Sequence, residues 1–240
     1  MSFIEVYDNY AYLGINSRPI TGGPEFNMVK NFIDHRKELF QETPTEKMAI
    51  FIETKINNVY PDVIFCTYNP QEFEKWNNNR NKISTTDLKI LHYIYSKGNV
   101  TSQRIIKDLS IQYKTFVNSI EALFDAELID RKEGHWSICN NKSVFGVRHI
   151  EAVEAKIGKW EEVLQQAIIN KCFASESSIL YKRKNNPDSE VMRKTSEFGI
   201  GVYLYNDENF SCFSCAKHND FPMNYNSIFI NECIGRILNN

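Results

Sequence analysis

The chain has 240 residues, of which 42% are hydrophobic, and a formal net charge of -2. This length and apolar content are enough to bury the core of one large domain or of two modest ones. The near-neutral charge argues against a protein that coats nucleic acid through a general excess of lysine and arginine, so any binding to DNA must come from a local face.

Cysteine usage and hydropathy favour a cytoplasmic protein. Six cysteines are scattered along a chain that has no charged-then-apolar leader, so we expect reduced thiols rather than a disulfide framework. No apolar run approaches the roughly 20 residues needed to cross a bilayer. We therefore expect no contact with a membrane.

The first third of the chain predicts one helix and two strands. Turn-forming residues at 17–24 precede a helix from about Glu25 to Phe40, whose apolar side chains recur near helical spacing. Two short apolar runs, 49–52 and 63–65, flank a turn before Pro61 and predict a strand, a turn and a strand. The Asn-rich stretch 69–82 has the composition of an exposed connector, so we place a domain boundary there.

Residues 82–141 predict three short helices and a hairpin. One helix ends at Gly98, a second is capped by Thr101 or Ser102, and a third runs from about Gln112 to Ala126. Two strands then flank a glycine turn at 132–134. This is the order of elements in a winged helix, so we predict a discontinuous core at 1–81 and 142–240 with a winged-helix domain at 82–141.

The last hundred residues return to a pattern of strands and helices. A strand at 149–157 leads into an amphipathic helix, with an apolar stripe from Trp160 to Phe173, and a further strand follows at 178–181. Residues 200–205 and 209–213 predict a second hairpin, and the pattern closes with a helix from about Tyr225 to Leu238.

Three residues carry the chemistry that this pattern predicts. Asp62 stands at the head of a strand, and Glu154 and Lys156 are two apart on another strand, so the last two side chains point to the same face. Two carboxylates on adjacent strands would supply the hard oxygen ligands that Mg²⁺ or Mn²⁺ prefers. An ammonium beside the ion can orient or deprotonate its bound water.

Pro61-Asp62 followed by Glu154-Ala155-Lys156 resembles the motif of the PD-(D/E)XK nuclease superfamily. The resemblance implies an α/β (α+β) fold of the restriction-endonuclease-like type, a mixed sheet flanked by helices, here with the inserted winged helix. It also implies a metal-dependent endonuclease that hydrolyses DNA phosphodiester bonds, in restriction or genome defence. Asp62 and Glu154 would be the metal ligands and Lys156 the catalytic amine. Glu53 matches an acidic residue often found upstream and is a candidate catalytic residue and third metal ligand.

The chain departs from the superfamily pattern in two places. Ninety-one residues separate Asp62 from Glu154, where many relatives need far fewer, and the predicted winged helix fills this gap. In the helix after the motif, Gln166 stands where a glutamine is frequent, but Asn170 occupies the position where a tyrosine often follows. This second departure weakens any transfer of function to Gln166.

In a winged helix, the recognition helix faces the major groove and the wing reaches phosphates. The predicted DNA-binding residues are Gln112, Tyr113, Lys114, Thr115, Asn118 and Ser119 on the helix, with Arg131 and Lys132 in the wing. The expected partner is double-stranded DNA. Residues 82–141 hold eight bases and seven acids, so packing against a protein is the alternative. The sequence does not decide between DNA and RNA. It also leaves open whether the protein forms a homodimer that cuts both strands.

Other interpretations compete with the nuclease hypothesis. The chain could be a catalytically inactive DNA-binding or regulatory protein built on a nuclease-like scaffold, or Glu154 and Lys156 could form a surface ion pair on an ordinary sheet. Cys212-x-x-Cys215-x-x-His218 could begin a zinc site, but no second ligand pair follows at the usual spacing. We interpret that segment as structural, and we assign none of the histidines to catalysis.

Overall fold

The computed structural model describes residues 3–139, 144–158, 160–183, 187–207 and 209–240. The chain divides into two compact units, each discontinuous in sequence. Met1–Tyr68 and Arg148–Met223 form the first, here called the sheet unit, and Asn69–Val147 and Asn224–Asn240 form the second, the helical unit. Both the connector and the C-terminal helix thus fall in the helical unit, whereas the sequence pattern assigns residues 69–81 and this helix to the core. The predicted boundary at 141/142 lies outside the described residues.

The sheet unit is built on a seven-stranded mixed sheet. Its strands are β1 (Ile4–Val6), β2 (Lys47–Ile52), β3 (Val63–Tyr68), β7 (Val147–Lys156), β8 (Glu176–Lys182), β9 (Gly201–Tyr205) and β10 (Phe210–Ser214). They lie side by side in this order. β1 is parallel to β2, and β8 is parallel to both β7 and β9, whereas the pairs β2–β3 and β9–β10 are antiparallel. The hairpins at 47–68 and 201–214 agree with the predicted strand pairs; β1 was not predicted.

Helices cover both faces of this sheet. One face packs against α1 (Pro24–Leu39), and the other packs against α5 (Trp160–Asn170) and α6 (Ser189–Phe198). Successive side chains of a strand point to opposite faces. Leu180 of β8 accordingly joins the cluster under α1, while Ile179 joins the cluster under α5 and α6. The fold is therefore a mixed α/β fold with a large mixed sheet flanked by helices.

Among its described residues, the helical unit contains the following helices and a small sheet. The helices are α2 (Thr85–Lys97), α3 (Ser102–Leu109), α4 (Tyr113–Asp125) and α7 (Tyr225–Leu238). The strands β4 (Val100–Thr101), β5 (Ile129–Lys132) and β6 (His135–Ile138) form a sheet in the order β4-β6-β5. Local chemistry sets these bounds: the Thr101 side chain caps α3, and Gly134 takes φ of 78° in the turn between β5 and β6.

The segment 69–82 is not the exposed connector that its composition predicts. It forms two short 3₁₀ helices, Pro70–Phe73 and Asn78–Lys82, and it buries Phe73 and Arg80. The Arg80 guanidinium donates hydrogen bonds to both carboxylate oxygens of Glu232 in α7. Asparagine content does not reveal a partner so far along the chain, so composition alone misassigned this segment.

None of the helices in the described ranges combines the length and the apolar character that a membrane crossing requires.

Candidate functional site

A cleft of about 560 Å³ opens in the sheet unit beside the N-terminal end of α1. Asp62, Glu53 and Lys156, three of the four predicted catalytic residues, line it. Its other polar lining residues are Arg18, Thr21, Glu25 and Gln166. Segments far apart in sequence thus converge on one place. This convergence is what the predicted site requires.

Asp62 links the start of β3 to the end of β7. It immediately precedes β3, and its Oδ2 accepts a hydrogen bond of 2.7 Å from the backbone N–H of Ala155. Burial raises the pKa of Asp62 to about 6, against this hydrogen bond, and the negative charge of Glu53 adds to the increase. The carboxylate is therefore held in place but poorly neutralised.

Glu154 is the most deeply buried acid of the site, with 2% of its surface exposed. Its Oε1 accepts a hydrogen bond of 2.6 Å from Nδ2 of Asn170 in α5, whereas its buried Oε2 has no hydrogen-bond partner. Burial, followed by the charge of Asp62, raises the pKa of Glu154 well above its usual value. Two neighbouring carboxylates thus disfavour each other's ionised form.

Glu53 lies opposite Asp62 across the β2–β3 pair. Its backbone N–H donates to the Asp62 carbonyl at 3.2 Å, and its φ of 49° lies in the left-handed region that glutamate rarely adopts. The Arg18 guanidinium forms an ion pair with its carboxylate. Burial raises the pKa of Glu53, while the contact with Arg18 acts in the opposite direction. Glu53 therefore lines the cleft with the Arg18 guanidinium already beside its carboxylate.

Lys156 ends β7 and lines the cleft, but its partner is not Glu154. Its Nζ lies 3.2 Å from Oε2 of Glu25, and the other oxygen of Glu25 accepts the backbone N–H of Ile157 at 3.2 Å. A surface ion pair between Glu154 and Lys156 does not fit this geometry, because Glu154 is buried and bonded to Asn170.

Sequence reasoning missed Arg18, Glu25 and Asn170. The first two lie in a region whose pattern predicts no chemistry, and only the fold brings them to β2 and β7. Asn170 carried a readable signal, because it falls three residues after Ala167 on the buried face of an otherwise apolar helix. Asn170, which replaces the expected tyrosine, is therefore the residue that contacts Glu154. Gln166 lines the cleft and is exposed.

The predicted DNA-binding residues lie on α4 and the β5–β6 hairpin of the helical unit. Exposed among them are Gln112, Tyr113, Lys114, Asn118, Arg131 and Lys132, and Thr115 is partly exposed. The expectation for Ser119 is wrong: it is 3% exposed, because it follows Phe116 by three residues on the inward face of the helix. The guanidinium of Arg131 stacks 5.1 Å above the Trp136 ring.

A second group of potential metal ligands lies elsewhere in the sheet unit. In the described part of the chain, the three such residues whose ligand atoms all lie within 4.8 Å of one another are His149, Glu176 and His218. Asp62, Glu154 and Glu53 do not approach each other this closely as a trio. Their grouping is electrostatic: the charge of Glu53 raises the pKa of Asp62, and the charges of Asp62 and Glu53 raise the pKa of Glu154.

No family model, curated protein or solved structure matches this chain.

Proposed function

We propose that this protein is a metal-dependent endonuclease of the PD-(D/E)XK type that hydrolyses DNA phosphodiester bonds, in restriction or genome defence. The observation that carries the proposal is the buried Oε2 of Glu154, which lacks a hydrogen-bond partner while Asp62 lies near enough to raise the pKa of Glu154. A buried, unpaired carboxylate beside a second acid is costly unless it takes up a proton or a cation joins it, and a bound cation would also pair the second acid.

Asp62 and Glu154 fit a hard divalent cation. Both offer carboxylate oxygens, and a bound ion would offset the burial and mutual repulsion that raise their pKa values. Glu53 is a weaker third ligand, because binding there must compete with Arg18. When bound, Mg²⁺ or Mn²⁺ would activate a water and neutralise charge on the scissile phosphate. Lys156, which pairs with Glu25 at the cleft, would orient that water.

The arrangement of strands supports the assignment to this superfamily and its restriction-endonuclease-like fold. Asp62 precedes β3, and Glu154 and Lys156 lie on β7, the strand next to β3 in the sheet. The helix α5 and the parallel strand β8 then follow in the order that the motif implies. The long interval between the two acids contains the helical unit's segment 69–147, as expected for an insertion between catalytic strands.

For that segment we propose a winged-helix module that binds double-stranded DNA. Three helices precede the β5–β6 hairpin, and β4 completes the small sheet. The exposed polar residues at the start of α4 suit the major groove, while Arg131 and Lys132 of β5 suit phosphates.

Nuclease assays with plasmid and single-stranded DNA in the presence of Mn²⁺ test the proposal. We expect the wild type to cut, and Lys156→Ala to lower the rate by about 100-fold or more, because it removes the group that handles the proton of the water. Lys30→Ala, which replaces an exposed lysine of α1, is the matched control. The proposal fails if folded wild-type protein cuts neither substrate, or if Lys156→Ala cuts equally well.

The ion pairs of the cleft favour a second candidate, a DNA-binding scaffold without catalysis. Arg18 already neutralises Glu53, and Glu25 already pairs with Lys156. Calorimetric titration with Mn²⁺ separates the two functions. A nuclease should bind the ion in a manner that Asp62→Ala abolishes, whereas a scaffold should bind DNA equally with and without metal and show no carboxylate-dependent site.

A further inference from the structure

We propose that His149, Glu176 and His218 form a second metal site, which takes a divalent transition-metal ion of the zinc type. The three residues come from β7, the first position of β8, and the segment after β10. Their ligand atoms all lie within 4.8 Å of one another. Two imidazoles and one carboxylate suit Zn²⁺, whereas Mg²⁺ prefers oxygen ligands alone.

Two distances between ligand atoms are close to those around a tetrahedral ion. Zinc bonds of about 2.0–2.2 Å place neighbouring ligand atoms roughly 3.3–3.6 Å apart. Here Nδ1 of His218 lies 3.2 Å from Oε1 of Glu176, and Nε2 of His149 lies 3.6 Å from Oε2 of the same carboxylate. The two imidazoles stack, with their planes at 8° and their centroids 5.6 Å apart. Because a nitrogen lone pair lies in the plane of its ring, one ring must tilt for both nitrogens to point at one ion.

The backbone holds His218 in position before any ion arrives. Lys217 N–H donates to the Gly199 carbonyl at 3.0 Å, and Asn219 N–H donates to the Ser175 carbonyl at 2.9 Å. The residues on both sides of His218 are thus tied down, one of them to the residue that precedes Glu176. Such preorganisation lowers the entropic cost of assembling a site.

The site is partly open, which leaves a fourth position. The side chains of His149 and Glu176 are 27% and 29% exposed, and that of His218 is 54% exposed. Oδ1 of Asp220 lies 3.8 Å from Nε2 of His218, the ring nitrogen that does not face Glu176, where a carboxylate can orient the ring. Water can complete four-coordination, and a bound ion would tie the segment 215–223 to the sheet.

This site is independent of the proposed nuclease cleft. His149 lies near the start of β7, while Glu154 and Lys156 lie at its end. At about 3.3 Å per residue, the five residues from His149 to Glu154 span roughly 16 Å. One ion cannot serve both places, so the zinc-type site can be correct even if the nuclease proposal fails.

Metal titration of untagged protein tests the proposal. We expect one Zn²⁺ per chain at this site, with affinity measured by competition against a chromophoric chelator. Each of His149→Gln, Glu176→Gln and His218→Gln should weaken binding by at least about tenfold, because removing even a group that orients a ligand typically costs 10–100-fold. His135→Gln, which replaces an exposed histidine of β6 in the helical unit, should leave the affinity unchanged.

The nearby thiols need a separate control, because a pair of cysteines can itself bind Zn²⁺. Sγ of Cys212 and Sγ of Cys215 lie 3.9 Å apart, and both residues are exposed. A Cys212→Ser/Cys215→Ser double variant should retain the site, and Co²⁺-loaded wild type should lack thiolate charge-transfer absorption. The proposal is overturned if wild type binds no Zn²⁺, if the three ligand variants bind as wild type does, or if the double serine variant loses the site. Circular dichroism of metal-free variants verifies that each is folded.

Discussion

At the scale of single residues, Asp62 in the cleft and the buried Glu154 beside it oppose folding in the absence of a cation. Glu154 has an unpaired oxygen in the interior, and Asp62 ionises against both burial and neighbouring charge. Sites that bind metal commonly carry such a cost, because the ligands must be assembled before the ion binds. The free energy of unfolding should therefore fall as these acids ionise with rising pH, and a bound metal ion should restore it.

We expect Asp62→Asn to remove one part of this dependence. The folded pKa of Asp62, about 6, exceeds its ordinary value of 3.8, so the folded state holds more protons between these pH values. Stability due to the protonated acid is present below about pH 4 and is lost as pH rises through 6. Relative to Asp62→Asn, the wild type should lose on the order of 3 kcal/mol over this window.

Urea denaturation from pH 4 to 8 in the presence of a chelator measures this difference. Asp34→Asn, at an exposed aspartate of α1, is the control and should parallel the wild type. Mn²⁺ added at pH 7 should restore the wild type but not Asp62→Asn. A difference between wild type and Asp62→Asn that stays constant with pH would contradict the prediction.

Asn170 should act on the metal through Glu154. Asn170→Ala removes the donor that fixes Oε1 of Glu154, so we expect Mn²⁺ affinity to fall by about tenfold or more, as for other residues that orient a ligand. Isothermal calorimetry gives the affinity. Ile169→Ala, at a half-exposed position of the same helix, should bind Mn²⁺ as the wild type does; equal affinities for both variants would remove Asn170 from the site.

At the scale of elements, the helical unit depends on contacts between segments distant in sequence. The side chains of Arg80 and Glu232 are 5% and 0% exposed, and their ion pair joins the segment 78–82 to α7. The Trp76 ring packs so closely on Gly235 that a Cβ there would lie 2.0 Å from a ring atom. One buried ion pair and one close ring contact thus join this segment to α7.

Breaking this ion pair should be costly. Glu232→Gln leaves the Arg80 guanidinium buried without a counter-charge, and the free energy of unfolding should fall by about 3–5 kcal/mol. Arg80→Met/Glu232→Leu should recover much of the loss, because it removes both charges. Chemical denaturation measures both. Glu197→Gln, which breaks an exposed pair with Arg193, should change stability little; an equally small effect of Glu232→Gln would show that the buried pair is unimportant.

The sequence predicts elements well where local chemistry sets them. Gly98 and Thr101 mark helix ends that the structure also has, and α7 was predicted with the bounds observed. The sequence pattern does not predict α6. It also predicts an exposed connector at 69–82, where the structure has two 3₁₀ helices. For the site, the motif placed Asp62 and Lys156 at one cleft, but Arg18 and Glu25 enter through tertiary contacts that leave no local pattern. In the sequence, Asn170 stands out only because it replaces the tyrosine expected from the superfamily pattern.

At the scale of the whole molecule, the charge balance limits how the protein can hold nucleic acid. A net charge of -2 gives no general attraction to phosphates. Binding should therefore depend on a few cations, among them Lys114 of α4 and Arg131 and Lys132 of β5, which are all exposed.

The salt dependence of DNA binding should reflect the small number of cations that contact phosphates. We expect the logarithm of the association constant to fall with the logarithm of salt concentration with a slope no steeper than about -4, and Lys132→Ala to make it shallower by about 1. Fluorescence anisotropy with duplex DNA gives both values. Lys55→Ala, at an exposed lysine of the sheet unit, is the control. A slope near -8 would point to a broad basic surface that the proposed winged helix does not provide.

The position of α7 in the chain has a consequence for biosynthesis. Every strand of the sheet unit leaves the ribosome before this helix does, yet α7 packs against α2 of the helical unit. The nascent segment 69–147 must therefore wait for its last helix, with the apolar side of α2 uncovered, while the sheet unit can already close. Because domains generally fold as units during translation, we expect the helical unit to mature last and to be the part of the newborn chain that most needs a chaperone.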